Sequence, residues 1–244
     1  MAQYSLTRDF VFKDAVKFLK KKKVLTGEEY ERIGKESRAK AFTVTGYTNL
    51  EVLQAFLDCL TDAVEEGLTK EQFRDRIAIS STFLEAGEYA GLTPDRINNI
   101  FLTNVQTAFN VGHYKNMTDP TVMKLRPYWM YVTAGDGEVR ESHLMMEGKV
   151  YPADHPVWDT WYPPNGFRCR CLVVSLTKEQ VKQRGLEIET EAPYRVDSST
   201  GEIIDINPDK GFKANQALAE WQPDLNNFKA ELRKIYKDRK QKSK

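Results

Sequence analysis

Apolar residues in the first half of the chain recur every three or four positions, the period of a helix with one buried face. Leu53, Leu57, Leu60 and Val64 form the clearest such stripe, with Thr48-x-x-Glu51 at capping-box spacing before it and Gly67 as its stop. Thr26-x-x-Glu29 and Thr69-x-x-Gln72 have the same start signature, the second preceding Phe73 and Ile77. Phe12, Val16 and Leu19 predict a short earlier helix. Thr93-Pro94 supplies a cap and a first-turn proline. The helix after it carries Ile97, Phe101, Val105 and Ala108 on one face and is expected to end near Gly112, just before His113.

Beyond Met117 the period shortens to two. Tyr128, Met130 and Val132 alternate with Trp129, Tyr131 and Thr133, as in a strand, and Gly135-Asp136-Gly137 then turns the chain. A second alternation over residues 168–175 sets Cys169, Cys171 and Val173 on one side and Arg170, Leu172 and Val174 on the other. Thr177-x-x-Gln180 begins a short helix closed by Gly185, and residues 197–201 separate two strand-like runs as a hairpin turn would. Leu225, Phe228, Leu232 and Ile235 predict a final helix from about Pro223. The fold class is therefore α+β: a helical region over 1–117, a mixed core with a small antiparallel sheet over 118–222, and a basic helix and tail over 223–244.

At 244 residues, with 41% hydrophobic and 29% charged side chains, the chain can bury a core, which excludes wholesale disorder. No apolar run suits a bilayer or a secretion signal, so no membrane partner is expected. Three cysteines are too few for a disulfide framework, which fits a reducing cytoplasm best. The net charge of +1 hides an asymmetry: residues 1–40 hold 11 Lys/Arg against 6 Asp/Glu, and residues 225–244 hold 8 against 2. Such basic ends suit an acidic protein surface or non-specific DNA contact, or are simply solvated. No nucleic-acid reading motif accompanies them.

Scarce, metal-competent side chains crowd into residues 140–171. Arg140-x-x-His143, Gly148, His155, Pro163-Pro164 and Cys169-Arg170-Cys171 hold two of the three histidines and two of the three cysteines. The loop is long for a compact domain and needs something other than a ladder to hold it. His143, His155, Cys169 and Cys171 would complete a tetrahedral structural zinc site. Alternatively the cysteines are small core residues and His143 bonds a loop carbonyl. A disulfide between Cys169 and Cys171 is disfavoured, because extended i,i+2 side chains diverge.

Catalytic arrangements are weaker. Cys169 with His143, completed by Asp136 or Asp154, has no exposing elbow, and arginines flank the sulfurs. Arg140, Glu141 and His143 could form a nuclease-like acid–base group, the alternative to a non-enzymatic role. No glycine-rich phosphate loop is present, and no small-molecule substrate is expected. Trp158, Trp161, Tyr162, Pro163 and Pro164 read as a cover over a small core, or else as a rigid hydrophobic surface for a partner. Arg168 and Arg170 should point away from the cysteines, toward a carboxylate in the fold or on a partner.

The order Arg140-x-x-His143, Gly148, Pro163-Pro164, Cys169-Arg170-Cys171 resembles the Mu F-like minor head proteins of tailed bacteriophages and prophages. Lys40 to Thr45, the Leu53 helix and Glu66 to Thr69 are similar to that family's N-terminal helical region. Asp209-Lys210-Gly211-Phe212 is similar to its closing Gly-Phe segment, although Gln216-Ala217 stands where relatives have Pro-Gly. The resemblance implies a low-copy, non-enzymatic component of the virion. It would sit at the portal vertex or in the prohead interior, contact portal or capsid proteins, and assist head morphogenesis and genome packaging or delivery.

Overall fold

The computed structural model describes residues 13–80, 82–83, 92–219 and 229–242. Phe12, Leu225 and Phe228 lie outside them. The first half is helical, as its period requires. Helix α1 spans 13–20 and strand β1 is Lys23–Val24; helices α2 (Gly27–Arg32) and α3 (Lys35–Arg38) follow, and strand β2 is Ala41–Phe42. The two strands pair in parallel through Lys23↔Ala41 and Val24↔Phe42. Helix α4 (Leu50–Glu66) buries Val52, Leu53, Phe56, Leu57, Leu60, Ala63 and Val64, and Gly67 ends it at φ +71°. Its cap is Asn49, not Thr48: the Asn49 side chain accepts from the N–H groups of Glu51 and Val52.

Helix α5 (Lys70–Ala78) has the expected reciprocal box between Thr69 and Gln72, and inserts Phe73 and Ile77 into the core. The Thr26–Glu29 box on α2 is equally complete. Helix α6 (Pro94–Met117) starts at Thr93 but runs well past Gly112, which is itself buried. Its early face, with Ile97 and Phe101, joins the core built on α1, α4 and α5. Its last residue, Met117, joins a second, aromatic core. His113 therefore lies inside the helix rather than at its end. Its Nε2–H donates to the Val173 carbonyl at 2.9 Å.

After the short helix α7 (Pro120–Leu125) the three-stranded antiparallel sheet begins with the central strand β3 (Tyr128–Val132). Helix α8 (Glu141–Leu144) precedes strand β4 (Val150–Pro152), and helix α9 (Val157–Trp161) precedes strand β5 (Leu172–Leu176). The strand order is β4-β3-β5, in register at Met130↔Val150 and Tyr131↔Val173. Alternation sends Trp129 and Tyr131 to one face, against Trp158, Trp161 and Tyr162. Tyr128, Met130, Val174 and Leu176 face the other way, against Val181 of helix α10 (Lys178–Gln183). The predicted aromatic cover is thus buried core.

Strands β6 (Tyr194–Val196) and β7 (Ile203–Asp205) form the expected hairpin. Helix α11 (Ala230–Lys242) closes the described chain, with Leu232 and Ile235 about half exposed. Among the described residues no helix is long and apolar enough to cross a membrane. The architecture is α+β.

Candidate functional site

Three pieces of chain meet at the edge of the second core: α8, the loop before β5, and the segment around Asp209. The single turn of α8 orients His143 inward, where it is 1% exposed. Gly148, at φ +74°, then reverses the chain so that its N–H reaches the Tyr131 carbonyl and β4 can pair with β3. The loop from Tyr162 passes through a cis Pro163-Pro164 bond to the buried Asn165. Arg168 takes a left-handed conformation, φ 55°, held by its guanidinium on Asn99 and on the Asp95 carbonyl of α6. Strand β5 therefore starts at Leu172, later than the alternation suggested. Cys169 and Cys171 lie just ahead of it, both buried and both free thiols.

The two sulfurs converge on one imidazole nitrogen. His143 Nδ1 is 3.8 Å from Cys169 Sγ and 3.6 Å from Cys171 Sγ. All three potential ligand atoms lie within 4.8 Å of one another. The Cys169 thiol is held well below the ordinary thiol value, chiefly by a hydrogen bond from Cys171 and next by His143. Cys171 is pushed up by the same interaction and by burial. On the far side of the ring, His143 Nε2 is buried without a hydrogen-bond partner, and Asp209 Oδ1 lies 4.0 Å away.

Asp209 is placed by two contacts and one missing atom. Its other carboxylate oxygen pairs with Arg140 Nε at 3.0 Å, and its N–H donates to the Asn165 carbonyl at 2.9 Å. A β-carbon on residue 166 would run into the Asp209 carboxylate, so the carboxylate holds this place only beside a glycine. Arg140 also donates to the Phe167 carbonyl at 2.7 Å. Arg170 points away from the sulfurs and grips Asp136 through two bonds of 2.6 and 2.7 Å, with Glu138 3.3 Å away. Arg170 holds the Asp136 carboxyl below its usual range. These arginines are thus anchors within the fold.

His155 does not join the group. Its Nδ1 accepts from the Val157 N–H at 3.1 Å and its Nε2–H donates to the Thr190 carbonyl at 3.2 Å, so both ring nitrogens are committed elsewhere. The four-ligand set expected from the sequence reduces to His143, Cys169 and Cys171. Asp209 was missed as a site residue. Only its place in the Asp209-Lys210-Gly211-Phe212 segment could have pointed to it, since nothing in spacing links it to His143.

A thiol, an imidazole and a carboxylate in line could also describe a cysteine nucleophile, but the sulfurs and His143 are sealed. The recess beside them measures about 20 Å³ and is lined by Arg140, His143, Cys169 and Cys171. That is room for about one water, not for a nucleotide. Glu141 is exposed, and Arg140 is committed to Asp209, so the nuclease-like arrangement is not assembled.

Known proteins align with this layout. The family described as Phage Mu protein F like protein matches residues 54–174, from α4 through the cysteine loop into β5. The "Putative capsid assembly protein F" of Escherichia phage Mu is 30% identical over 246 residues, covering 87% of this chain and 55% of that protein. The "Mu-like prophage FluMu F protein" of Haemophilus influenzae is 33% identical over 197 residues, covering 74% of this chain and 47% of that protein. The chain thus spans about half the length of the curated relatives it matches. No solved structure matches. On the family match from α4 into β5, and on the likeness to these two relatives, the chain belongs to the Phage Mu protein F like family.

Proposed function

We propose that this chain is a minor head protein of a tailed phage or prophage, acting at the portal vertex or in the prohead interior during capsid assembly. The observation that carries this is its likeness, over 87% of its length, to a protein named for capsid assembly. The site chemistry supports the same conclusion. The grouped side chains hold loops together and leave no room for a substrate, as suits a docking component rather than a turnover machine.

The surface suited to docking is α11. Arg233, Lys234, Lys237 and Arg239 are exposed there beside Leu232 and Ile235. Mixed apolar and basic exposure fits an acidic protein surface, with portal or capsid subunits as the expected partners. Non-specific DNA contact through the same lysines and arginines would be salt-sensitive and secondary.

Cross-linking in purified proheads tests this, with mass spectrometry to identify the attached subunit. The chain should remain with the heads and cross-link to portal or major capsid protein. Recovery solely in the soluble fraction would overturn the assignment. Truncation before Lys229 should lower incorporation; undiminished incorporation would remove α11 from the contact.

A further inference from the structure

We propose that His143 Nδ1 and the sulfurs of Cys169 and Cys171 bind a structural zinc ion, with Asp209 as the partner of the opposite ring nitrogen. The spacing carries the argument first. Zinc bonds of about 2.3 Å to sulfur and about 2.0 Å to nitrogen, at tetrahedral angles, put nitrogen and sulfur about 3.5 Å apart and the two sulfurs about 3.8 Å apart. The observed nitrogen-to-sulfur separations are 3.6 and 3.8 Å, and all three atoms lie within 4.8 Å of one another, so the group is close to the spacing an ion needs.

Donor chemistry agrees. Nδ1 has one lone pair, so it can accept one S–H, yet two thiols converge on it. An ion satisfies both sulfurs and the nitrogen together. Two thiolates neutralise a divalent cation, and soft sulfur with imidazole selects zinc over calcium or magnesium. The nearby arginines do not compete, because Arg140 is paired with Asp209 and Arg170 with Asp136.

The far side of the ring supplies an independent observation. Metal on Nδ1 requires the proton on Nε2, and that nitrogen is buried with no partner except the Asp209 carboxylate 4.0 Å away. A shift of about 1 Å completes the carboxylate–histidine–metal arrangement that fixes a ligand's tautomer. Arg140 and Gly166 then gain a purpose: one anchors Asp209 and the other lets it approach. Asp209 is a positioning residue, not a ligand. The recess of about 20 Å³ beside these atoms has room for about one water. The ion would fasten α8 to the cysteine loop across a stretch with no strand ladder.

Elemental analysis of protein purified without a histidine tag should find about one equivalent of zinc per chain. Replacement by cobalt should give sulfur-to-cobalt charge-transfer absorption and the visible bands of a tetrahedral ion. His155→Ala should keep the full equivalent, whereas Cys171→Ser should drop below about a tenth. Asp209→Asn should retain zinc with an affinity 10- to 100-fold weaker. If Cys171→Ser fails to fold, the native protein still decides. Less than about a tenth of an equivalent after incubation with zinc and desalting, or a cobalt form without thiolate absorption, overturns the site. Loss of metal in His155→Ala would overturn this ligand set.

Discussion

The Tyr131 hydroxyl donates to Asn165 Oδ1 at 2.7 Å, tying the central strand of the sheet to the loop that delivers the cysteines. Both groups are buried, and the Asn165 amide also donates to the Thr160 carbonyl at 3.4 Å. Burial holds the Tyr131 phenol far above its ordinary pKa, so it remains a donor. Tyr131→Phe strands the Asn165 oxygen without its donor. It should cost about 1–3 kcal/mol, read as a lower urea midpoint at unchanged slope. An unchanged midpoint would show that the loop is fixed by something else.

Gly166 makes room for Asp209, and Gly166→Ala should displace it. The expected loss is about 1–3 kcal/mol, the range for overpacking a tight contact. Gly137 is the matched control, having open space around it and an ordinary φ. Gly137→Ala should stay within about 0.5 kcal/mol. Equal effects at the two positions would contradict the role given to Gly166.

Arg168 combines a left-handed backbone with a side chain that reaches helix α6. Arg168→Ala loses the bonds to Asn99 and Asp95 yet keeps the unfavourable φ, whereas Arg168→Gly loses the bonds but relieves the backbone. Thermal or urea unfolding should rank the glycine variant above the alanine variant by about 1 kcal/mol. The reverse order would mean that residue 168 is not left-handed in solution.

His113 sets a pH dependence of definite sign. Burial lowers its pKa below the ordinary 6.5, against an opposing pull from the Val173 carbonyl. The unfolded chain therefore takes up a proton near pH 6.5 that the folded chain refuses. Stability contributed by this group is complete above about pH 7 and declines as pH falls through 6.5. Urea midpoints between pH 5 and 8 should fall more steeply toward acid for the native protein than for His113→Gln. Parallel curves would remove His113 from the acid response.

Local signals were legible where a residue acts on its neighbours. Thr26, Thr69, Thr93 and Thr177 cap helices because a hydroxyl needs to reach an N–H only three residues ahead. Asn49 displaced Thr48 because its longer side chain reaches two such groups at once. Gly112 looked like a stop, but a buried position in a packed helix favours a small residue there and overrides its weak propensity. The convergence of His143, Cys169 and Cys171 followed from their scarcity and crowding. The exclusion of His155 did not, since its bonds go to Val157 and to the distant Thr190. Asp209 was beyond reach because tertiary folding, not spacing, brings it to Arg140.

Helix α6 is a single uninterrupted rod whose first turns lock into one core and whose last residue is seated in the other. Gln106 and His113, between those ends, also hold carbonyls of Cys171 and Val173 at the edge of the sheet. Neither half can loosen without dragging on the spine they share. Calorimetry should accordingly record one melting event, with equal calorimetric and van't Hoff enthalpies, and a pull applied at either end should be felt at the other.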